Sequence, residues 1–234
     1  MKALPSYPNP ALRGLRLPAG LPAPTLWYRF CRLLTLTTFL AMWRARAFNR
    51  HHEPASGSAL YISNHQSFLD PLLIGMCLKR PMNYMARDTL FRMPGFGPLI
   101  RSVNAFPVKR GTADTGALKE AIRRLRAGGQ LTIFPEGTRT RDGRIGDFLP
   151  GVALLAQRAA DWVVPTVVDG AFECWPRTSP LPLPGQVTVV YGKPLAAKDI
   201  RGMDGAKLLA EIRNTMIALQ ADLRARRGKE PFTY

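Results

Sequence analysis

At 234 residues with 46% hydrophobic side chains, the chain can build one domain with a real core and is too apolar to be disordered. Thirty-three Lys and Arg against sixteen Asp and Glu leave a formal charge of +17, which calls for an anionic partner: nucleic acid, an anionic membrane or a phosphorylated substrate. Cys31, Cys77 and Cys174 lie far apart with no C-x-x-C pair, so neither a zinc site nor a disulfide framework is indicated, and a reducing, cytosol-facing location is expected.

Residues 1–24 carry Pro5, Pro8, Pro10, Pro18, Pro22 and Pro24, which suit neither helix nor strand. They read as a proline-rich arm, and the prolines interrupt any apolar stretch that a secretory signal would need. Residues 25–50 differ. The eleven uncharged residues Leu33–Trp43 lie between Arg32 and Arg44. As a helix they would cover about 16 Å, roughly half of a bilayer's hydrocarbon core, so a simple spanning helix is not expected. Trp27, Tyr28, Phe30, Trp43 and Phe48, mixed with Arg29, Arg32, Arg44, Arg46 and Arg50, suit a helical segment lying in a membrane interface. A helix packed on the core is the alternative. Residues 51–234 then form the α/β domain.

Ala59–Ile62 reads as a buried strand, and Pro71–Leu78 reads as a helix with proline in its first turn. Between them runs Asn64-His65-Gln66-Ser67-Phe68-Leu69-Asp70. On such a strand-to-helix turn Asp70 can reach the His65 imidazole, fix its tautomer and stabilise the imidazolium formed when the ring takes a proton. Asp70 can equally be a plain helix N-cap. Ser67, two residues from His65, stays open as a nucleophile, although a cap or turn role is the usual one.

Pro81–Ala86 reads as a short strand. Arg87 opens a stretch containing Leu90-Phe91 and Pro94-Gly95, and Asn104–Arg110 follows, with Asn104 able to take a left-handed turn. Residues 112–127 form an amphipathic helix with Leu118, Ile122 and Leu125 on one face, Thr112 or Asp114 as cap, and Gly128-Gly129 as stop. Leu131–Phe134 is a second buried strand, ending in Pro135-Glu136-Gly137-Thr138-Arg139-Thr140. A turn at 141–144 leads through Phe148-Leu149-Pro150-Gly151 into an apolar helix. Trp162–Val168 is a further strand, in which Pro165 suggests an irregular or sheet-edge position. Residues 176–185 read as a loop, Val187, Val189 and Tyr191 as a strand, and 204–226 as a last helix with a basic end. The fold class expected is α/β: a mixed, mostly parallel sheet flanked by helices, with an N-terminal membrane-interface helical element.

Asn64-His65-x-x-x-x-Asp70, followed about 70 residues later by Phe134-Pro135-Glu136-Gly137-Thr138-Arg139, resembles the paired blocks of the glycerolipid acyltransferase family, which includes 1-acyl-glycerol-3-phosphate acyltransferases. The Arg87–Gly95 stretch, Phe106-x-x-x-Arg110 and the Val-Pro pair at 164–165 are similar to further blocks of that family. The resemblance implies acyl transfer from acyl-CoA or acyl carrier protein to the sn-2 hydroxyl of 1-acyl-sn-glycerol 3-phosphate, giving phosphatidic acid. His65 would be the base, Asp70 would orient it, and no acyl-enzyme would be required. Arg139 suits the acceptor phosphate through its two-pronged guanidinium, with Arg87 and Arg110 next. Gly137 lets the backbone approach, Thr138 lies in the same block, and Glu136 is expected to bind the glycerol or hold Arg139. The family commonly has Lys where this chain has Leu149, which keeps another lysolipid, such as a lyso-aminolipid, in view; Arg141 or Arg144 could supply the missing cation. No metal or other cofactor is indicated. The partners expected are anionic membrane phospholipids, the lysophospholipid acceptor and the donor carrier, at the cytoplasmic face of the cell membrane as a peripheral or monotopic protein. A non-catalytic basic binding protein is the competing class, but no nucleic-acid-binding signature appears.

Overall fold

The computed structural model describes residues 24–109 and 114–234. Most of the proline-rich arm, and Arg110 with the start of the helix expected from 112, lie outside these residues.

Helix α1 spans Leu26–Trp43. Thr25 caps it by accepting from the Tyr28 N–H at 3.1 Å, and Arg44 ends it in the left-handed region at φ 42°. One stripe, Tyr28, Phe39 and Trp43, is buried against the domain, while Leu26, Trp27, Phe30, Leu33 and Leu34 stay exposed. The helix is therefore packed on the core along one side and apolar on the other. The segment expected to be helical to residue 50 is not so throughout: Arg46–Phe48 form strand β1, paired with residues 188–190. The reason is tertiary, since the partner strand lies some 140 residues away in sequence.

The remaining elements follow in order. They are β2 (Ala59–Ser63), α2 (Asp70–Met76), β3 (Met82–Arg87), α3 (Phe96–Ser102), β4 (Ala105–Val108), α4 (Thr115–Arg126) and β5 (Gln130–Ile133). Then come α5 (Gly151–Ala159), β6 (Trp162–Asp169), α6 (Ala171–Cys174), β7 (Thr188–Tyr191), β8 (Leu195–Ala196), α7 (Ala197–Ile200) and α8 (Gly205–Arg226). Aspartates start two of the long helices. Asp114 accepts from the Ala117 N–H at 2.9 Å, and Asp204 from the Lys207 N–H at 2.9 Å. Asn104, at φ 70°, makes the left-handed turn into β4.

The strand order is β1-β7-β6-β2-β5-β3-β4, with β8 on the flank of β6. Strands β2 to β6 are parallel to one another, and β7 runs against them. Side chains alternate between two apolar layers. Leu60, Ile62, Val163 and Val167 pack with α4, α5 and α8, while Tyr61, Val164 and Val168 pack with α1 and α2. The edge position that Pro165 suggests does not occur, because β6 is central and all of it but Trp162 is buried. Pro165 is tolerated because it falls where β6 changes partner, from β8 at Trp162–Val163 to β7 at Thr166 onward. Its carbonyl accepts from the Gly192 N–H at 2.7 Å.

Parallel strands put their C-terminal ends on one edge of the sheet. Here that edge carries His65 after β2, Arg87 at the end of β3, and Phe134 after β5. Open α/β folds place ligands at such an edge.

Candidate active site

His65 is 6% exposed and Asp70 is fully buried, at 0%. The Asp70 Oδ2 lies 2.8 Å from His65 Nδ1 and accepts from the backbone N–H groups of Gln66 at 2.6 Å and Ser67 at 2.7 Å. The carboxylate is thus turned back into the loop, and the helix N-cap position belongs to Leu69, not Asp70. This arrangement assigns the Nδ1 proton to the bond with Asp70 and leaves Nε2, on the far side of the ring, as the proton acceptor. The Phe134 ring stacks on the imidazole at 4.0 Å between centroids and 16° between planes, which fixes the ring's plane.

The loop is held from three directions. Asn64 extends the β2–β6 pairing with its side chain: Nδ2 donates to Val168 O at 2.9 Å and Oδ1 accepts from Val168 N–H at 2.8 Å. Gln66 donates to Gly143 O at 2.9 Å and accepts from Phe172 N–H at 3.2 Å. The Thr140 N–H donates to His65 O at 2.7 Å. Ser67 is buried and its hydroxyl donates to Trp175 O at 2.9 Å, so it is committed to holding the loop and not poised as a nucleophile.

The second block closes on the first. Gly137, at φ 67°, makes the turn after β5 with its N–H on Phe134 O. Glu136 accepts from the His65 N–H at 3.2 Å, and burial pushes its carboxyl up to about 8 in spite of N–H donors from His65 and Gly146. Its carboxyl therefore joins the two blocks, a link that the sequence expectation of a glycerol contact or a partner for Arg139 did not include. The Arg139 guanidinium lies over the Phe68 ring, 3.6 Å from its centroid.

An open cleft of ≈ 700 Å³ runs from Glu136 past Thr138 and Arg139 to Arg141, Arg144, Arg177 and Arg213. The C-terminal residues wall it. The Tyr234 hydroxyl accepts from the Ile145 N–H at 3.0 Å and is hydrogen-bonded to Gln220, while Arg213 donates to Gly146 O at 2.9 Å and Ile145 O at 3.1 Å. Leu149, 54% exposed, covers Gly137. Arg87 lies on the same sheet edge, two strands from β2 and so about 10 Å away. The structure brings together His65, Asp70, Glu136, Gly137, Thr138 and Arg139. It adds Asn64, Gln66, Phe68, Phe134 and the C-terminal wall; the first four sit inside or beside the motifs, but only their tertiary partners reveal what they do.

A family model described as Acyltransferase matches residues 44–169. A chloroplastic 1-acyl-sn-glycerol-3-phosphate acyltransferase of Arabidopsis thaliana is 33% identical over 140 residues, covering 58% of this chain and 39% of that protein. The 1-acyl-sn-glycerol-3-phosphate acyltransferase of Bacillus subtilis (strain 168) is 25% identical over 184 residues, covering 78% of this chain and 89% of that protein. This chain thus spans about two fifths of the length of the plant relatives it matches, and most of the length of the Bacillus one. Among solved structures, the 1-acyl-sn-glycerophosphate acyltransferase PlsC from Thermotoga maritima superposes with a TM-score of 0.73 at 23% identity, covering 85% of this chain and 81% of that one. At that identity the likeness is one of fold, and it matches the sheet and helices described above.

Proposed function

This chain belongs to the acyltransferase family, and on that premise we propose that it transfers an acyl chain from a thioester of coenzyme A or acyl carrier protein to the sn-2 hydroxyl of 1-acyl-sn-glycerol 3-phosphate, producing phosphatidic acid. The observation that carries the reading is the His65–Asp70 pair: a buried carboxylate on Nδ1, with Nε2 left to take a proton at the open edge of the sheet. As the acceptor's hydroxyl oxygen attacks the thioester carbonyl carbon, its proton passes to His65 Nε2. The tetrahedral centre then collapses, the C–S bond breaks, and the imidazolium returns the proton to the departing thiolate. One ester forms, one thiol leaves, and no acyl group rests on the protein. Arg139 takes the acceptor phosphate, with its plane held over Phe68. Glu136 keeps the His65 loop in register with the Arg139 loop.

Leu149 favours a second reading. It places an apolar side chain over Gly137, where the family commonly has a cation, and an acceptor without a phosphate, such as a lyso-aminolipid, would suit it. Arg139 and Arg144 in the cleft favour the phosphorylated acceptor. Mass spectrometry of lipids formed by the purified protein from a mixture of lyso-acceptors and acyl donors decides between them. Phosphatidic acid as the main product supports the first reading; its absence beside an acylated aminolipid overturns it.

The site of action proposed is the cytoplasmic face of the cell membrane, with the protein peripheral or monotopic. No described helix is long and apolar enough to cross a membrane. What supports the reading is the outer side of α1, where exposed Leu26, Trp27, Phe30, Leu33 and Leu34 lie beside exposed Arg29. The acceptor and product are membrane lipids and the donor is water-soluble, so the reaction belongs at that boundary.

A further inference from the structure

The cleft beside His65 carries more positive charge than one acceptor phosphate uses. Of its five arginines, Arg139 lies over Phe68 at the His65 end. Arg144 faces Asp142 at 3.7 Å, and Arg213 is bound to two backbone carbonyls and faces Asp147 at 3.8 Å. Arg141 and Arg177 are exposed, line the same cleft, and have no hydrogen bond or ion pair to any described residue. Arg177, Arg213 and Tyr234 also lie beyond the 44–169 stretch that the family model matches.

The shape limits what the cleft can take. Its ≈ 700 Å³ is a small-molecule volume, lined also by Thr233, Tyr234 and Arg213. A docking face for a carrier protein would instead be a broad surface of about 800 Å² per partner. Guanidinium forks match phosphate oxygens in pairs. Glu136, at the inner end, is held largely protonated at neutral pH and so does not repel an anion.

Resting on the reading that this is a thioester-dependent acyltransferase, we infer that the outer part of the cleft holds the phosphates of a coenzyme A thioester, with Arg141 and Arg177 as their ligands, so that the pantetheine arm runs inward past Arg139 to His65. The acceptor's phosphate then keeps to the Arg139 end.

The test titrates coenzyme A and pantetheine, which lacks the phosphates, into the full chain and into Arg141→Ala/Arg177→Ala. Both substitutions are at exposed positions with no partner among the described residues, and a circular dichroism melt checks the fold. The expected result is a preference for coenzyme A over pantetheine that falls by about 10-fold to 100-fold in the variant. The KM for acyl-CoA should rise by about the same factor and the KM for lysophosphatidate by less than about twofold. Unchanged coenzyme A affinity overturns the inference. So does a rise confined to the lysophosphatidate KM, or a loss of transfer seen only with acyl carrier protein as donor. If the native chain acylates no lysophosphatidate yet the coenzyme A preference still collapses in the variant, the acceptor reading fails and this inference stands.

Discussion

Glu136 and His65, 71 residues apart, are joined by one hydrogen bond from the His65 N–H to the Glu136 carboxyl. Burial pushes that carboxyl up to about 8, whereas in the unfolded chain it would titrate near 4.3. Between those values the unfolded chain releases a proton that the folded chain keeps. Stability therefore falls as pH rises through the window and levels off above it. Glu136→Gln keeps an acceptor for the His65 N–H and removes the titration. Urea unfolding from about pH 5 to pH 8 should show a falling midpoint for the native chain and a flatter one for the variant. Equal slopes would mean that Glu136 titrates normally.

The His65–Asp70 pair predicts two separable losses. His65→Ala should lower turnover by about 10² to 10⁴ with the fold retained, the weight of a general base. Asp70→Asn removes a carboxylate that holds Nδ1 and two backbone N–H groups, so it should lower turnover comparably and also destabilise the fold by about 1–3 kcal/mol. Turnover on lysophosphatidate together with thermal melts checks both. A near-normal rate in His65→Ala would falsify the mechanism.

Arg139 predicts a dependence on shape as well as charge. Arg139→Lys keeps the charge but loses the planar fork that lies over Phe68. The lysophosphatidate KM should rise by about tenfold, with a smaller change in kcat. A variant indistinguishable from the native chain would move the acceptor phosphate elsewhere.

The two sides of α1 should behave differently. Phe30→Glu/Leu34→Glu changes exposed positions and should lower binding to anionic vesicles by about tenfold or more while leaving the melt unchanged. Phe39→Ala opens a cavity among buried side chains and should destabilise the fold by about 3–5 kcal/mol. Salt should weaken vesicle binding of the native chain without abolishing it. Co-sedimentation that is equal for the native chain and the Phe30/Leu34 variant would show that this face does not meet lipid.

Much of the site was legible because its signals are local. The β2 run, the seven-residue loop and Pro71 announce a strand, a turn and a helix within twenty residues, and the structure forms all three. Helices α4 and α8 declared themselves by period, and α4 also by its Asp114 cap. What stayed hidden depends on partners distant in sequence. Arg46–Phe48 is too short to be read as a strand without β7 beside it. Pro165 gave a true local signal about backbone hydrogen bonding, but the gap it needed was supplied by a change of partner inside the sheet. Asn64 and Gln66 look like ordinary loop amides until Val168, Gly143 and Phe172 arrive to meet them.

Helix α1 is bolted to the domain at points close to the site's own supports. Arg32 donates to Leu78 O and Lys79 O just beyond α2, and the Tyr28 hydroxyl accepts from the Met82 N–H that opens β3. A helix held this way is a rigid stand, not a tether. Once its outer side rests on a lipid surface, His65 sits at one set height above that surface. On the proposed function, selection among lysolipids would then begin before any headgroup is touched: an acceptor whose free hydroxyl rides too shallow or too deep in the leaflet would miss the imidazole, whatever charge it carries.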